Sequence, residues 1–158
     1  MSKSCILHVD DDHDDRLLLR HASKQAGLGL PLLSLENGEQ AIAYLSGQGE
    51  YRDRNEFPLP CLILLDVKMN GVSGFDVLHW IRSQPDLHDL VVIMFSGSRM
   101  EGDLGKAARL GANSFVSKPA DCRVLPKLVR AIQDYWLAFH EFGWDSNCRP
   151  KQTATISQ

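Results

Sequence analysis

Leu62-Ile63-Leu64-Leu65-Asp66 is the stretch that decides the fold. Four apolar residues in a row, with no alternation, make a strand covered on both faces, the kind found inside parallel sheets. The run ends abruptly on a carboxylate. In an open α/β sheet, ligands sit just past the carboxyl ends of the strands, so the fold itself places Asp66 where chemistry happens. The following Val67-Lys68-Met69-Asn70-Gly71-Val72-Ser73-Gly74 is rich in small and turn-forming residues and leads into a helix. Taken alone, Asp66 could equally be a strand-end carboxylate with no task. The other strand ends decide the matter.

Working outward, four more strands follow the same pattern. Cys5-Ile6-Leu7-His8-Val9 runs into Asp10-Asp11-Asp12, and Leu32-Leu33-Ser34-Leu35 into the turn Glu36-Asn37-Gly38. Val91-Val92-Ile93-Met94-Phe95-Ser96 ends on a hydroxyl, and Ser114-Phe115-Val116-Ser117 ends at Lys118-Pro119. Helical spacing predicts helices between them. The first runs from about Asp14 to Ala26, with Leu18, Ala22 and Ala26 inward and Gly27 and Gly29 as its stop. Glu39 to Ser46 would bury Ala41, Ile42 and Leu45. A helix capped by Ser73 and ending near Ser83 would bury Val77, Leu78 and Ile81. A weakly apolar helix carrying Met100, Leu104, Ala107 and Ala108 would end at Gly111. The last helix places Leu125, Leu128, Val129, Ile132, Trp136 and Phe139 at 3.6-residue spacing. Pro126 means that it either starts late or bends there. Gly47 to Pro60 has no periodicity and reads as a surface loop.

The predicted fold class is therefore α/β: a doubly wound, five-stranded parallel sheet flanked by five helices. One domain over residues 4–140 and a flexible tail over 141–158 account for the 158 residues. A net charge of −3 gives no nucleic-acid footprint, and no apolar run is long enough for a bilayer span. The start of the chain lacks a signal-peptide pattern, which predicts a cytoplasmic protein. The four cysteines have no metal-ligand spacing, and Cys5 and Cys61 read as buried thiols, with no disulfide expected.

Four strand ends bring Asp10, Asp11, Asp66, Ser96 and Lys118 to one edge. Two carboxylates ~4 Å apart repel by roughly 4 kcal/mol at an effective dielectric of ~20. One lysine offsets only part of that. A hard divalent cation such as Mg²⁺ would supply the missing charge. Such a site can draw a phosphoryl group onto metal, lysine and hydroxyl, with a carboxylate as nucleophile. Asp12, Asp14 and Asp15 read as solvated charges at a helix start, and His8 as a packed core histidine.

The ordered set Val9-Asp10-Asp11, Leu64-Leu65-Asp66 with Gly74, Phe95-Ser96-Gly97 and Gly111-Ala112-Asn113-Ser114-Phe115-Val116-Ser117-Lys118-Pro119 resembles the CheY-like receiver domain of two-component response regulators, over roughly residues 4 to 138. The polar loop before the third strand and Asp134-Tyr135-Trp136-Leu137 resemble the stand-alone receivers that serve phytochrome-type histidine kinases. The resemblance implies that Asp66 accepts a phosphoryl group from a sensor histidine kinase. It implies that Asp11, Asp66 and the backbone carbonyl of Lys68 hold Mg²⁺, with Asp10 acting through water. Lys118 and Ser96 would bind phosphoryl oxygens, and Phe115 would swing inward behind Ser96. It also makes Lys118-Pro119 a candidate cis bond.

The chain departs from the pattern at Asn70, where many receivers have proline, and Phe115 has no hydroxyl to donate. Two other classes compete. A small Mg-dependent aspartate phosphatase of the haloacid-dehalogenase type would need an aspartate where this chain has Lys68. A phosphate-independent receiver-like scaffold would not need Asp11, Asp66, Ser96 and Lys118 intact. With no DNA-binding module after the fifth predicted helix, the signal would pass through protein contacts or through competition for phosphate. The aromatic residues Trp136, Phe139, Phe142 and Trp144 suggest a homodimer through the C-terminal helix region.

Overall fold

The computed structural model describes residues 4–97 and 100–139. Strands β1 (Cys5–Val9), β2 (Leu32–Leu35), β3 (Pro60–Leu65), β4 (Val91–Ser96) and β5 (Ser114–Ser117) form one sheet in the order β2-β1-β3-β4-β5. All four pairings are parallel. Helices α1 (His13–Ala26), α2 (Gly38–Ser46), α3 (Gly74–Ser83), α4 (Glu101–Leu110) and α5 (Leu125–Ile132) connect or follow them. This is the doubly wound sheet that the uniformly apolar strands predict. Side chains alternate across each strand. Leu7, Val9, Ile63, Leu65, Val92 and Met94 form one core with α2, α3 and α4. Ile6, Leu62, Leu64, Val91, Ile93 and Phe95 form the other with residues of α1 and α5. Among the described residues, no helix is long and apolar enough to cross a membrane.

The inward stripes differ from the sequence reading in three places. On α1 the buried apolar residues are Leu19 and Ala22, while Leu18 is 41% exposed. Three consecutive leucines let the stripe start at any of them, and the sheet selects the third. On α2, Tyr44 rather than Ile42 is fully buried. In the last helix Leu137 is buried and Phe139 is 75% exposed. The cause is backbone geometry: Gln133–Phe139 is π-helical. Its wider turn carries the inward face from Ile132 to a residue five along instead of four.

Pro126 is accommodated by a late start. A 3₁₀ turn, Cys122–Val124, capped by Asp121, precedes α5, and Pro126 falls in the first turn of the helix.

The segment read as a plain surface loop is more ordered than its sequence suggests. It contains the 3₁₀ turn Gly49–Arg52. Tyr51 and Phe57 pack on Tyr44 with ring centroids 5.1 and 6.1 Å away. Arg54 donates to the carbonyls of Tyr44 at 2.8 Å and Leu45 at 2.9 Å, closing the end of α2. Burial pushes the Tyr44 phenol up, and its hydroxyl donates to Pro58 O at 2.7 Å. Cys5 is free, and burial pushes its thiol up to about 11. Cys61 is fully buried, against Ser4. The proposed tail over 141–158, with Phe142 and Trp144, lies outside the described residues.

Candidate functional site

The chain leaves β1 for β2 on one side and reaches β3 on the other, so a crevice opens at the carboxyl ends of β1 and β3. The pairing aligns Val9 with Leu65, which puts Asp10 and Asp66 side by side one residue later. The Asp66 N–H donates to Val9 O at 3.0 Å and extends that pairing past the strand end. The loop after β3 must then turn at once. Gly74 makes this possible: a Cβ there would sit 1.9 Å from the Asp66 carbonyl oxygen. The first residue of α3 therefore lies directly on the backbone of Asp66. Ser73 caps that helix in a reciprocal arrangement with Asp76, and these capping bonds hold the Asp76 carboxyl below the usual range.

Asp10 is fully buried, Asp66 is nearly so, and Asp11 is exposed at the rim. One carboxylate oxygen from each lies within 4.8 Å of the other two. Asp10 Oδ1 accepts from the Asp12 N–H at 2.9 Å, and its main-chain carbonyl accepts from Arg16 Nη1 at 2.7 Å. Asp11 Oδ2 accepts from the Asn70 N–H at 3.2 Å, which joins the β1 and β3 loops.

Lys118 enters from β5, whose end is tied to β4 by the bond from the Lys118 N–H to Ser96 O at 2.8 Å. Its ammonium reaches Asp10 Oδ2 at 2.6 Å, Asp15 Oδ2 at 2.8 Å and Asp66 Oδ2 at 3.2 Å. Burial opposes charge on Lys118, but these carboxylates outweigh it and hold the ammonium well above the usual range. Burial also opposes charge on Asp10. His8, Lys118 and the Asp12 N–H together reverse that and hold the Asp10 carboxyl well below its ordinary value. Asp66 goes the other way. Burial and the neighbouring Asp10 charge raise it, and Lys118 only partly compensates.

The fold thus brings together Asp10, Asp11, Asp66 and Lys118. Ser96 is buried at the end of β4, the strand beside β3. Phe115 is half-buried, pairs with Met94 in the sheet register and packs against the core shared with α4. Lys68 is exposed on the loop after Asp66, its ammonium 3.8 Å from Met100 Sδ. It lines a cleft of about 430 Å³ with Asp11, Asn70, Phe75 and Lys106. Among the described residues no peptide bond is cis, so Lys118–Pro119 is trans, unlike the candidate cis bond.

Asp15 corrects the sequence reading. It is not merely a solvated helix-start charge but a direct partner of Lys118. Its place in the first turn of α1, directly after the strand end that carries Asp10 and Asp11, was the available signal. Arg16 was also overlooked, and an arginine with only 9% exposure has to find acceptors nearby. His8 is a buried core histidine, as read. Neither ring nitrogen has a hydrogen-bond partner, and Nε2 stands 3.7 Å from Asp10 Oδ2.

Three carboxylates against one ammonium leave the pocket short of positive charge. The all-oxygen donor set suits a hard divalent cation. Comparison with known proteins agrees. Residues 6–130 match the family described as "Response regulator receiver domain". The chain is 33% identical over 132 residues to "Response regulator Rcp1" of a Synechocystis strain, covering 84% of this chain and 88% of that protein. It superposes on the phosphorylated cyanobacterial phytochrome response regulator RcpA with a TM-score of 0.82 at 29% identity, covering 90% and 99% of the two chains. The Mn²⁺-bound form of Rcp1 gives 0.79 at 31% identity, covering 89% and 99%.

Proposed function

The chain belongs to the response regulator receiver family, and from that premise we propose that Asp66 accepts a phosphoryl group from a phosphohistidine of a sensor histidine kinase. It is a signalling regulator, and a histidine kinase is the partner that its family implies. One observation carries the assignment of roles: Lys118 Nζ bonds both Asp10 and Asp66 beside a third carboxylate.

In the proposed transfer, an Asp66 oxygen bonds to phosphorus as the phosphorus–nitrogen bond breaks, and the electron pair returns to the imidazole. Such transfer depends on in-line placement and neutralised charge more than on protein acids and bases. Gly74 and the Val9 bond fix the backbone of Asp66, so its carboxylate is held in place. Lys118 takes one phosphoryl oxygen and the Ser96 hydroxyl donates to another. Asp11, Asp66 and the Lys68 carbonyl would hold Mg²⁺, with Asp10 acting through water. When bound, the ion supplies the positive charge that the pocket lacks. Slow loss of the phosphoryl group to water would follow in the same pocket.

The readout we assign to α4 and β5. Helix α4 buries Ala107 alone, has no side-chain cap, and leaves Met100 59% and Leu104 49% exposed. So loosely held an element responds to small differential contacts, here Ser96 drawn to the phosphoryl group and Phe115 filling the space behind. The named relatives make a phytochrome-type kinase the partner of choice. Tyr135 and Phe139, exposed on the last helix, support a homodimer through that region; a strict monomer in light scattering at high concentration would reject it.

The deciding experiment is incubation with acetyl phosphate and Mg²⁺, read by intact mass. The wild type should gain one phosphoryl group and Asp66→Asn should gain none. Equal gain by both would refute Asp66 as acceptor.

A further inference from the structure

The ammonium of Lys118 has three N–H donors, and three carboxylates take them. A phosphoryl group on Asp66 can gain Lys118 only if the ammonium moves and a present bond breaks. The three partners are not equally able to let go. Asp10 is fully buried, and releasing it would strand a charge away from water. Asp66 carries the phosphoryl group itself, whose oxygens lie beyond the one Lys118 now bonds, so the ammonium must travel outward to reach them and stretch one of its other two bonds. Asp15 sits on α1 with its side chain 38% exposed, where water can replace the lysine at little cost.

We propose that Asp15 is a positioning residue that competes with the phosphoryl group for Lys118, tethering the lysine to α1 at rest and releasing it on phosphorylation. The proposal rests on the reading of Asp66 as acceptor. It goes beyond that reading in giving the site a fourth carboxylate, carried by α1. The released carboxylate has a defined place. Asp15 lines a groove of about 160 Å³ between α1 and the segment after β5, with Leu18, Lys118, Pro119, Cys122 and Leu125. Phosphorylation therefore exchanges a neutralised ion pair for a free negative charge at the mouth of an apolar groove. A partner seated there meets a different surface in the two states.

The test uses beryllium fluoride with saturating Mg²⁺ as a phosphoryl mimic, titrated into the full chain and followed by amide chemical shifts. Asp15→Asn should lower the midpoint concentration by about fivefold, the scale of one partly exposed ion pair. Asp15→Ala should move it the same way, and Asp15→Glu should restore the wild-type value. In phosphorylation by acetyl phosphate, Asp15→Asn should lower the concentration for half-maximal rate more than it changes the maximal rate. A residue that only stabilised α1 would shift the melting temperature and leave that ratio alone. A wild-type adduct with an unchanged or raised midpoint in Asp15→Asn would overturn the proposal alone. No adduct on the wild type would overturn the acceptor reading and this proposal with it.

Discussion

Replacing Asp66 by asparagine should make the metal-free protein more stable. Asp66 shares a space of 4.8 Å with oxygens of Asp10 and Asp11. At an effective dielectric of ~20, each carboxylate pair at that separation costs roughly 3.5 kcal/mol. Lys118, 3.2 Å away, returns roughly 5 kcal/mol on the same scale. The balance against the Asp66 charge is about 2 kcal/mol before its burial is counted. Asparagine keeps the shape and can still accept from Lys118, while Asp10 and Asp15 keep the lysine paired. In EDTA at neutral pH, Asp66→Asn should therefore melt about 4–8 °C above wild type.

The pH dependence carries the same sign. The folded protein holds the Asp66 proton more tightly than the unfolded chain does, because its carboxyl is raised. The charge cost is thus absent at low pH and appears as pH rises from the ordinary carboxylate range through the raised value. The gap between the two proteins should shrink on acidification. Saturating Mg²⁺ should stabilise the wild type more than the variant and narrow the gap at neutral pH. Thermal denaturation by circular dichroism measures all three. A variant that melts at or below wild type in EDTA would refute the charge argument.

Two further outcomes follow from the loop after β3. Gly74→Ala must displace α3 from the Asp66 carbonyl and should cost about 1–3 kcal/mol in urea denaturation, with slower phosphorylation by acetyl phosphate because the acceptor moves. Lys68→Ala should change the phosphate lifetime, since Lys68 lies exposed two residues past the acceptor, in the cleft that Asp11 also lines; radiolabel decay equal to wild type would dismiss that role.

The strand pattern was legible because the three inner strands are buried apolar runs that stop sharply at a polar residue. The half-buried edge strands Leu32–Leu35 and Ser114–Ser117 were legible from the turns and the helix end that flank them. The convergence of Asp10, Asp11, Asp66 and Lys118 was legible for the same reason, since parallel strands bring their ends to one edge. Asp15 was hidden among five acidic residues within six positions, where local charge density masks which one faces inward. The Tyr44, Tyr51 and Phe57 cluster was hidden because its rings come from a helix, a 3₁₀ turn and a bend, which share no period. Helix faces were legible only where one register was possible. Val77, Leu78 and Ile81 are all fully buried as read, whereas the run of leucines on α1 offered several choices.

The widened turn at Gln133–Phe139 makes the chemistry of that end of the molecule depend on counting. Removing a single amino acid between positions 133 and 136 would let an ordinary helical winding resume with Leu137 four places after Ile132 and still turned inward. Narrowing the turn without shortening the chain would do the opposite, bringing Trp136 inward and turning Leu137 out. The same letters, wound by the other count, would thus change what this end of the molecule sticks to.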